Sequence, residues 1–354
     1  MLRYAILVIG SFNYIESKTG NMLVRYRPDE VVCVIAPEKA GQTAENILGW
    51  GGNIPCVSTF DESKKYSPTH VLVGSAPQGG VLNDDYRREI IAAIQSGCHI
   101  IAGMHVFLND DPEIFKLASD MGLTLTDLRR PPIPPHFPKG SWKNREFPVL
   151  LIVGSDCDTG KKTTAWELYQ ALKKRDRKVE FIGTGQTGIL LSGNGVPIDA
   201  VISDFMAGEM EYCLDQLSND TELAIVEGQG AINNMLYSGV TLGLLHGCMP
   251  DFMIFTHDPG RDLDVSAHPF PDLTYLMDIH IDLMKPFKES KFLGMNYLTL
   301  KLHDDLAKES CNSAQNRYGL PVTDLIRFGG QDLVETIVKV MDEWSGLLPH
   351  IGLS

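Results

Sequence analysis

Residues 149–164 read Val-Leu-Leu-Ile-Val-Gly-Ser-Asp-Cys-Asp-Thr-Gly-Lys-Lys-Thr-Thr. The apolar run Val149 to Val153 has the length of a fully buried strand. Gly154 and Gly160 bracket a short turn. A helical stretch follows, with Ala165, Leu168, Ala171 and Leu172 on one face and a basic end at Lys173, Lys174 and Arg175. Strand, glycine loop and helix in that order form the context of a phosphate loop. A phosphate chain needs backbone N–H donors, a helix N-terminus and a cation, and this stretch supplies all three. The expected contacts are Gly154, Ser155, Asp156, Gly160, Lys161, Lys162, Thr163 and Thr164. Lys161 is expected against the terminal phosphates, and Thr163 or Thr164 would hold Mg²⁺ or donate to a phosphate.

The spacing departs from the usual pattern. Five residues separate the glycines, where G-x-x-x-x-G-K-[ST] has four, and Lys162 stands where the motif has its hydroxyl. The first departure resembles the dethiobiotin-synthetase type of loop, G-[ST]-D-x-x-x-G-K-T. The second leaves the metal role open between a threonine and no metal at all.

Downstream, four apolar runs are read as strands that stop at polar turns. Val179–Ile182 runs into Gly183 to Gly188, Asp199–Ser203 into Asp204, Leu223–Val226 into Glu227-Gly228-Gln229-Gly230, and Phe252–Phe255 into Thr256 to Arg261. In a parallel sheet these turns share the edge that carries the phosphate loop. Asp204 and Glu227 are therefore expected beside the phosphates. One would ligate Mg²⁺, with Thr163 or Asp204 as the candidate ligands, and the other would serve as a general base. The plain alternative is that each carboxylate only caps the next helix. His257, at a strand end, is a third candidate for the base.

Upstream, residues 129–148 read RRPPIPPHFPKGSWKNREFP. Such proline density excludes both helix interior and central strand, so the stretch is expected as an extended connector. It separates an N-terminal part, 1–128, from a C-terminal part, 149–354. In the first part, short apolar runs at Arg3–Ile9, Val31–Ala36, Val71–Gly74 and His99–Ala102 alternate with helical stretches such as Asp85–Ser96. The expected fold class is α/β: a Rossmann-like parallel sheet followed by a P-loop α/β domain. No G-x-G-x-x-G follows the first strand. Glycine turns at Gly10-Ser11, 74–80 and Gly103 to His105 are ligand candidates or simply tight βα turns.

Among 354 residues, Lys and Arg number 31 and Asp and Glu 45, a formal charge of −14. An acidic chain of this kind is not built for non-specific nucleic-acid or anionic-membrane binding. No apolar run reaches the ~18 residues of a membrane span, and the N-terminal run is too short for a secretory signal. The expected location is the cytoplasm and the expected partners are small molecules. The seven scattered cysteines include no C-x-x-C pair, so neither a zinc site nor a disulfide framework is indicated. The apolar tail 344–353 is a candidate subunit contact, or else simply packs.

Taken together, these residues resemble domain-of-unknown-function family 1611, the D-glutamate N-acetyltransferase-like proteins. The similarity rests on an ordered set: Gly79-Gly80, Gly103 to Leu108, Asp127 to Arg129, the loop Gly154 to Lys161, Gly183 to Gly188, Asp204 to Gly208, Glu227 to Gly230, and His257 to Arg261. The resemblance implies an acetyl-CoA-dependent N-acetyltransferase acting on a D-amino acid such as D-glutamate. The phosphate loop would then cradle the phosphates of coenzyme A. Arg129 and Arg261 are candidates for the substrate carboxylates, because guanidinium binds carboxylate in a bidentate manner. Gln186 and Gln229 complete the substrate-binding candidates. The loop motif alone also suits an ATP- and Mg²⁺-dependent ligase or kinase of dethiobiotin-synthetase type, or a nucleotide-binding regulatory protein.

Overall fold

The computed structural model describes residues 2–14, 16–75 and 82–344. Most of the glycine turn at 74–80 and the tail from 345 onward lie outside the described residues. The chain divides into two compact units, Met1–Arg130 with Gly185–Leu191, and Pro131–Thr184 with Ser192–Ser354.

The first unit holds strands β1 (Tyr4–Leu7), β2 (Val31–Ile35), β3 (Cys56–Val57), β4 (His70–Val73), β5 (His99–Ala102) and β6 (Leu125–Asp127). They form one parallel sheet in the order β3-β2-β1-β4-β5-β6, the doubly wound order of a Rossmann-like domain. Helices α1 (Lys18–Tyr26), α2 (Ala44–Leu48), α3 (Phe60–Ser63), α4 (Asp84–Gln95) and α5 (Pro112–Asp120) connect them. Local chemistry sets the helix starts. Asn83 accepts the Tyr86 N–H to cap α4, and Asp111 accepts two N–H groups ahead of Pro112 to cap α5. Ile90, Ala93 and Ile94 of α4 then turn inward onto the core with Ala5, Leu7, Val71 and Ile100.

The second unit holds β7 (Val149–Gly154), β8 (Val179–Ile182), β9 (Leu223–Val226), β10 (Phe252–His257), β11 (Lys291–Tyr297) and β12 (Val322–Thr323). Its parallel sheet runs β12-β11-β10-β7-β9-β8. The helices are α6 (Lys161–Lys173), α7 (Gln186–Ser192), α8 (Ser203–Asp215), α9 (Ser238–Cys248), α10 (Leu273–Met284), α11 (Asp304–Tyr318) and α12 (Gln331–Glu343). Residues 186–191 of α7 belong to the first unit, where the Thr187 hydroxyl meets that of Thr19 at 2.9 Å and the Leu190 carbonyl accepts from Arg27. Every residue of β7 is buried, as expected of a central strand covered on both faces. β7 lies between β9 and β10, where the winding of the sheet reverses. Such switch points open a crevice at the carboxyl ends of the strands.

One expected strand is absent. At Asp199–Ser203 the chain instead makes a 3₁₀ turn, Ile198–Ala200, and enters α8 at Ser203. Ile198 and Val201 are the buried residues, a spacing of three that suits a helical turn, and Pro197 ahead of them offers no ladder donor. The proline-rich stretch is extended at first and then strapped to α8. The buried carboxylates of Glu209 and Glu211 accept the backbone N–H groups of His136, Lys139 and Ser141. The His136 ring stacks on Tyr212. The methionine-bearing segment of α10 packs in the core through Leu276, Met277 and Met284. No disulfide joins the described cysteines. No helix among the described residues is long and apolar enough to cross a membrane.

Candidate functional site

The turn between β7 and α6 buries half of its residues, all of them polar, while Asp158 at its tip is exposed. Ser155, Asp156, Thr159 and Thr164 are shut off from solvent, and Lys161 nearly so. Gly160 opens α6 at φ +91°, a left-handed conformation that glycine adopts without strain. Thr159 holds the turn closed: its hydroxyl donates to the Asp156 carbonyl at 3.0 Å and meets the Thr256 hydroxyl at 2.7 Å. The Ser155 N–H donates to the Thr256 carbonyl, tying the loop to the end of β10.

Lys161 folds over this turn. Its Nζ donates to the Asp156 carbonyl at 2.5 Å and lies 3.5 Å from Thr159 Oγ1. Burial lowers its pKa to about 8. A cation held over a glycine turn at a helix N-terminus suits a phosphate group. Thr163 is half-buried in the first turn of α6. Thr164 is buried, and its Oγ1 accepts from Asn296 of β11 at 2.9 Å.

Asp156 faces inward. Its carboxylate accepts from Asn234 at 3.0 Å, from the Val265 N–H at 2.7 Å, and from the Arg261 guanidinium. Arg261 also donates to the Cys157 carbonyl at 3.0 Å. One carboxylate thus binds the loop to the turns after β9 and β10. The sequence offered no signal for Asn234 as a partner, because an asparagine in a polar turn is unremarkable.

Glu227 sits at the end of β9 and is buried. Its Oε2 accepts the Thr184 N–H at 3.2 Å, and Oε1 lies 3.9 Å from Lys162 Nζ. Gln229 donates to the Thr184 carbonyl at 2.6 Å. Gly228 allows the close approach of this turn to β7: a Cβ there would stand 1.6 Å from the Ile152 carbonyl oxygen. His257, the last residue of β10, meets the Ser155 hydroxyl through Nδ1 at 2.8 Å. Burial, aided by the Arg261 charge, lowers its pKa to about 4, so the imidazole is neutral near pH 7.

The candidates therefore fall into groups. The loop residues, Glu227, Gln229, His257 and Arg261 line the carboxyl edge of the second sheet. Asp204 is exposed on the first turn of α8 and, among the described residues, shares no hydrogen bond or ion pair with the loop. Arg129 and Gln186 meet in the first unit, where Arg129 Nη1 donates to Gln186 Oε1 at 3.0 Å. Among the described residues, no three His, Cys, Asp or Glu side chains are grouped as metal ligands.

Comparison with known proteins fits this architecture. Residues 136–334 match the model described as the P-loop domain of DUF1611, a domain of unknown function, and residues 37–131 match its Rossmann-like N-terminal domain. The chain belongs to the DUF1611 family. It is 34% identical over 319 residues to a D-glutamate N-acetyltransferase of Tritonibacter scottomollicae, covering 89% of this chain and 92% of that protein. A D-glutamate N-acetyltransferase of a Pseudoalteromonas species is 32% identical over 279 residues, 78% of this chain and 83% of the relative. The crystal structure of a DUF1611 family protein from Anabaena variabilis superimposes with a TM-score of 0.90 at 31% identity, covering 96% of this chain and all of that one.

Proposed function

We propose that this DUF1611 protein is an acetyl-CoA-dependent N-acetyltransferase acting on a D-amino acid of the D-glutamate type. The observation that carries the reading is similarity along most of the chain to proteins named D-glutamate N-acetyltransferase. The phosphate loop supports it: Lys161, the α6 N-terminus and the loop N–H groups suit the pyrophosphate of coenzyme A, held without being cleaved.

In the reaction, the acceptor amine forms a bond to the acetyl carbonyl carbon, the carbon–sulfur bond breaks, and coenzyme A leaves as a thiol. The ammonium of the acceptor must first lose a proton. Glu227, buried at the end of β9, is the base in this reading. Charge developing on the carbonyl oxygen calls for N–H donors, which the glycine turn 228–230 carries. Arg261 is the candidate carboxylate ligand at this edge of the second sheet, with Gln229 as a neutral contact.

The test is a screen of D- and L-amino acids with acetyl-CoA, following free thiol. Thiol release with D-glutamate is the expected result. The loop motif also suits ATP, with Thr163 as the Mg²⁺ candidate. Tight, Mg²⁺-dependent ATP binding with no thiol release from any amine would replace the transferase reading with a ligase or kinase. Ligand binding without any turnover would point to a regulatory protein.

A further inference from the structure

His257 and Tyr297 are paired across β10 and β11 as the last residues of each strand. Beyond them opens a cavity of about 450 Å³, within the ordinary range for a small-molecule site. Its walls include His257, Phe270, Tyr297, Ser313, Arg317 and Tyr318. The rings are set edge to face: His257 lies 5.4 Å from Phe270 and 5.5 Å from Tyr297, centroid to centroid. Arg317 stands at the exposed rim, its guanidinium 5.3 Å from the Tyr318 ring centroid and ion-paired with Asp272 through Nη2. Among the described residues, no other group accepts a hydrogen bond from Arg317.

The cavity and the phosphate loop share a wall. His257 lines the cavity and holds Ser155 of the loop at 2.8 Å. The pyrophosphate of coenzyme A carries adenosine on one side and pantetheine on the other, so a pyrophosphate on the loop puts the adenine base one ribose away from its anchor. A pocket walled by aromatic rings one side chain away matches the flat face of a purine. We propose that this cavity receives the adenosine of the ligand whose phosphates the loop holds, with Arg317 at the rim meeting the 3′-phosphate of coenzyme A. The proposal rests on the reading of the loop given above. Asp272 occupies one corner of the guanidinium and leaves its other donors for the phosphate oxygens.

Calorimetry on the full chain tests this with three probes: coenzyme A, dephospho-coenzyme A and inorganic pyrophosphate. Arg317→Ala is expected to weaken coenzyme A by about 10-fold, the loss of one charge-assisted contact, and so to erase its advantage over dephospho-coenzyme A. Tyr318→Ala is expected to weaken both adenosine-bearing ligands by about 10-fold, in keeping with the loss of one base–aromatic contact. Pyrophosphate, which does not reach the cavity, should bind both variants as it binds the wild type, and this also reports that they fold. Equal binding of coenzyme A to the wild type and both variants would overturn the adenosine assignment and leave the loop reading standing. Failure of the wild type to bind either coenzyme A or pyrophosphate would remove the loop reading, and this assignment with it.

Discussion

The carboxylate of Asp156 lies at the bottom of the phosphate loop, sealed from solvent, and is ion-paired with Arg261, 105 residues later in the chain. Breaking a buried pair by removing one partner leaves the other charge uncompensated, a loss of ~3–5 kcal/mol. Asp156→Ala also strands Asn234 and the Val265 N–H. Urea denaturation should show a loss of that size, and ligand affinity should fall as the turn after β10 detaches. A variant within about 1 kcal/mol of wild type would show that the pair does not hold the loop.

Lys161→Met should behave in the opposite way. Methionine roughly keeps the buried volume and removes the cost of burying an ammonium group. Stability at pH 7 is expected to hold or rise, while affinity for a polyphosphate ligand falls by about 100-fold, the scale of ~3 kcal/mol for a charged contact. Thermal melts and calorimetry on the same preparation separate the two effects.

The lowered pKa of Lys161 gives a pH signature. Between about pH 8 and 10.5 the unfolded chain carries more protons at this residue than the folded one, so its contribution to stability rises with pH across that window. A bound phosphate favours the protonated lysine. Affinity should therefore weaken above about pH 8, and binding at that pH should take up protons. Calorimetry in buffers of different ionisation enthalpy measures the uptake, which Lys161→Met should abolish.

At the acid end, His257 and His280 act together. Burial lowers both to about 4 from 6.5, so the unfolded chain binds more protons between those values. Stability is expected to fall as pH drops from 6.5 towards 4. His280 lies in the core of α10, away from the loop, and its Nδ1 is 2.7 Å from the Leu276 carbonyl oxygen. His280→Leu should flatten part of this slope, as read from denaturant midpoints across the window. A slope unchanged by the substitution would remove His280 from the account.

Glu227→Gln keeps the shape of the side chain and its contact with Thr184 while removing its basicity. Loss of a general base lowers turnover by ~10²–10⁴-fold. Steady-state kinetics should show that loss in kcat, with little change in KM for acetyl-CoA. Full activity in Glu227→Gln would remove this carboxylate as the base.

The loop was legible because its signals are local. An apolar run, two glycines, a lysine and a helical periodicity all fall within 149–172, and each reports on its immediate neighbours along the chain. The run at 199–203 misled for the same reason: a short apolar segment suits a strand or a turn of helix, and only burial at Ile198 and Val201 separates them. Glu209 and Glu211 gave no hint of their role. Helical glutamates usually face water, whereas here they satisfy backbone N–H groups of a segment about 70 residues earlier.

By itself, the sequence determined the α/β class, the strand–loop–helix at 149–173, and an inventory of polar residues at strand ends. Those features follow from periodicity and from the backbone freedom of glycine, which act over a few residues. Tertiary structure alone decided that β7 lies between β9 and β10, that Asp156 turns inward to Arg261 and Asn234, and that residues 185–191 cluster with the first unit. Strand order and buried ion pairs depend on segments distant in sequence burying surface together, and no local pattern records which distant partner a residue will meet.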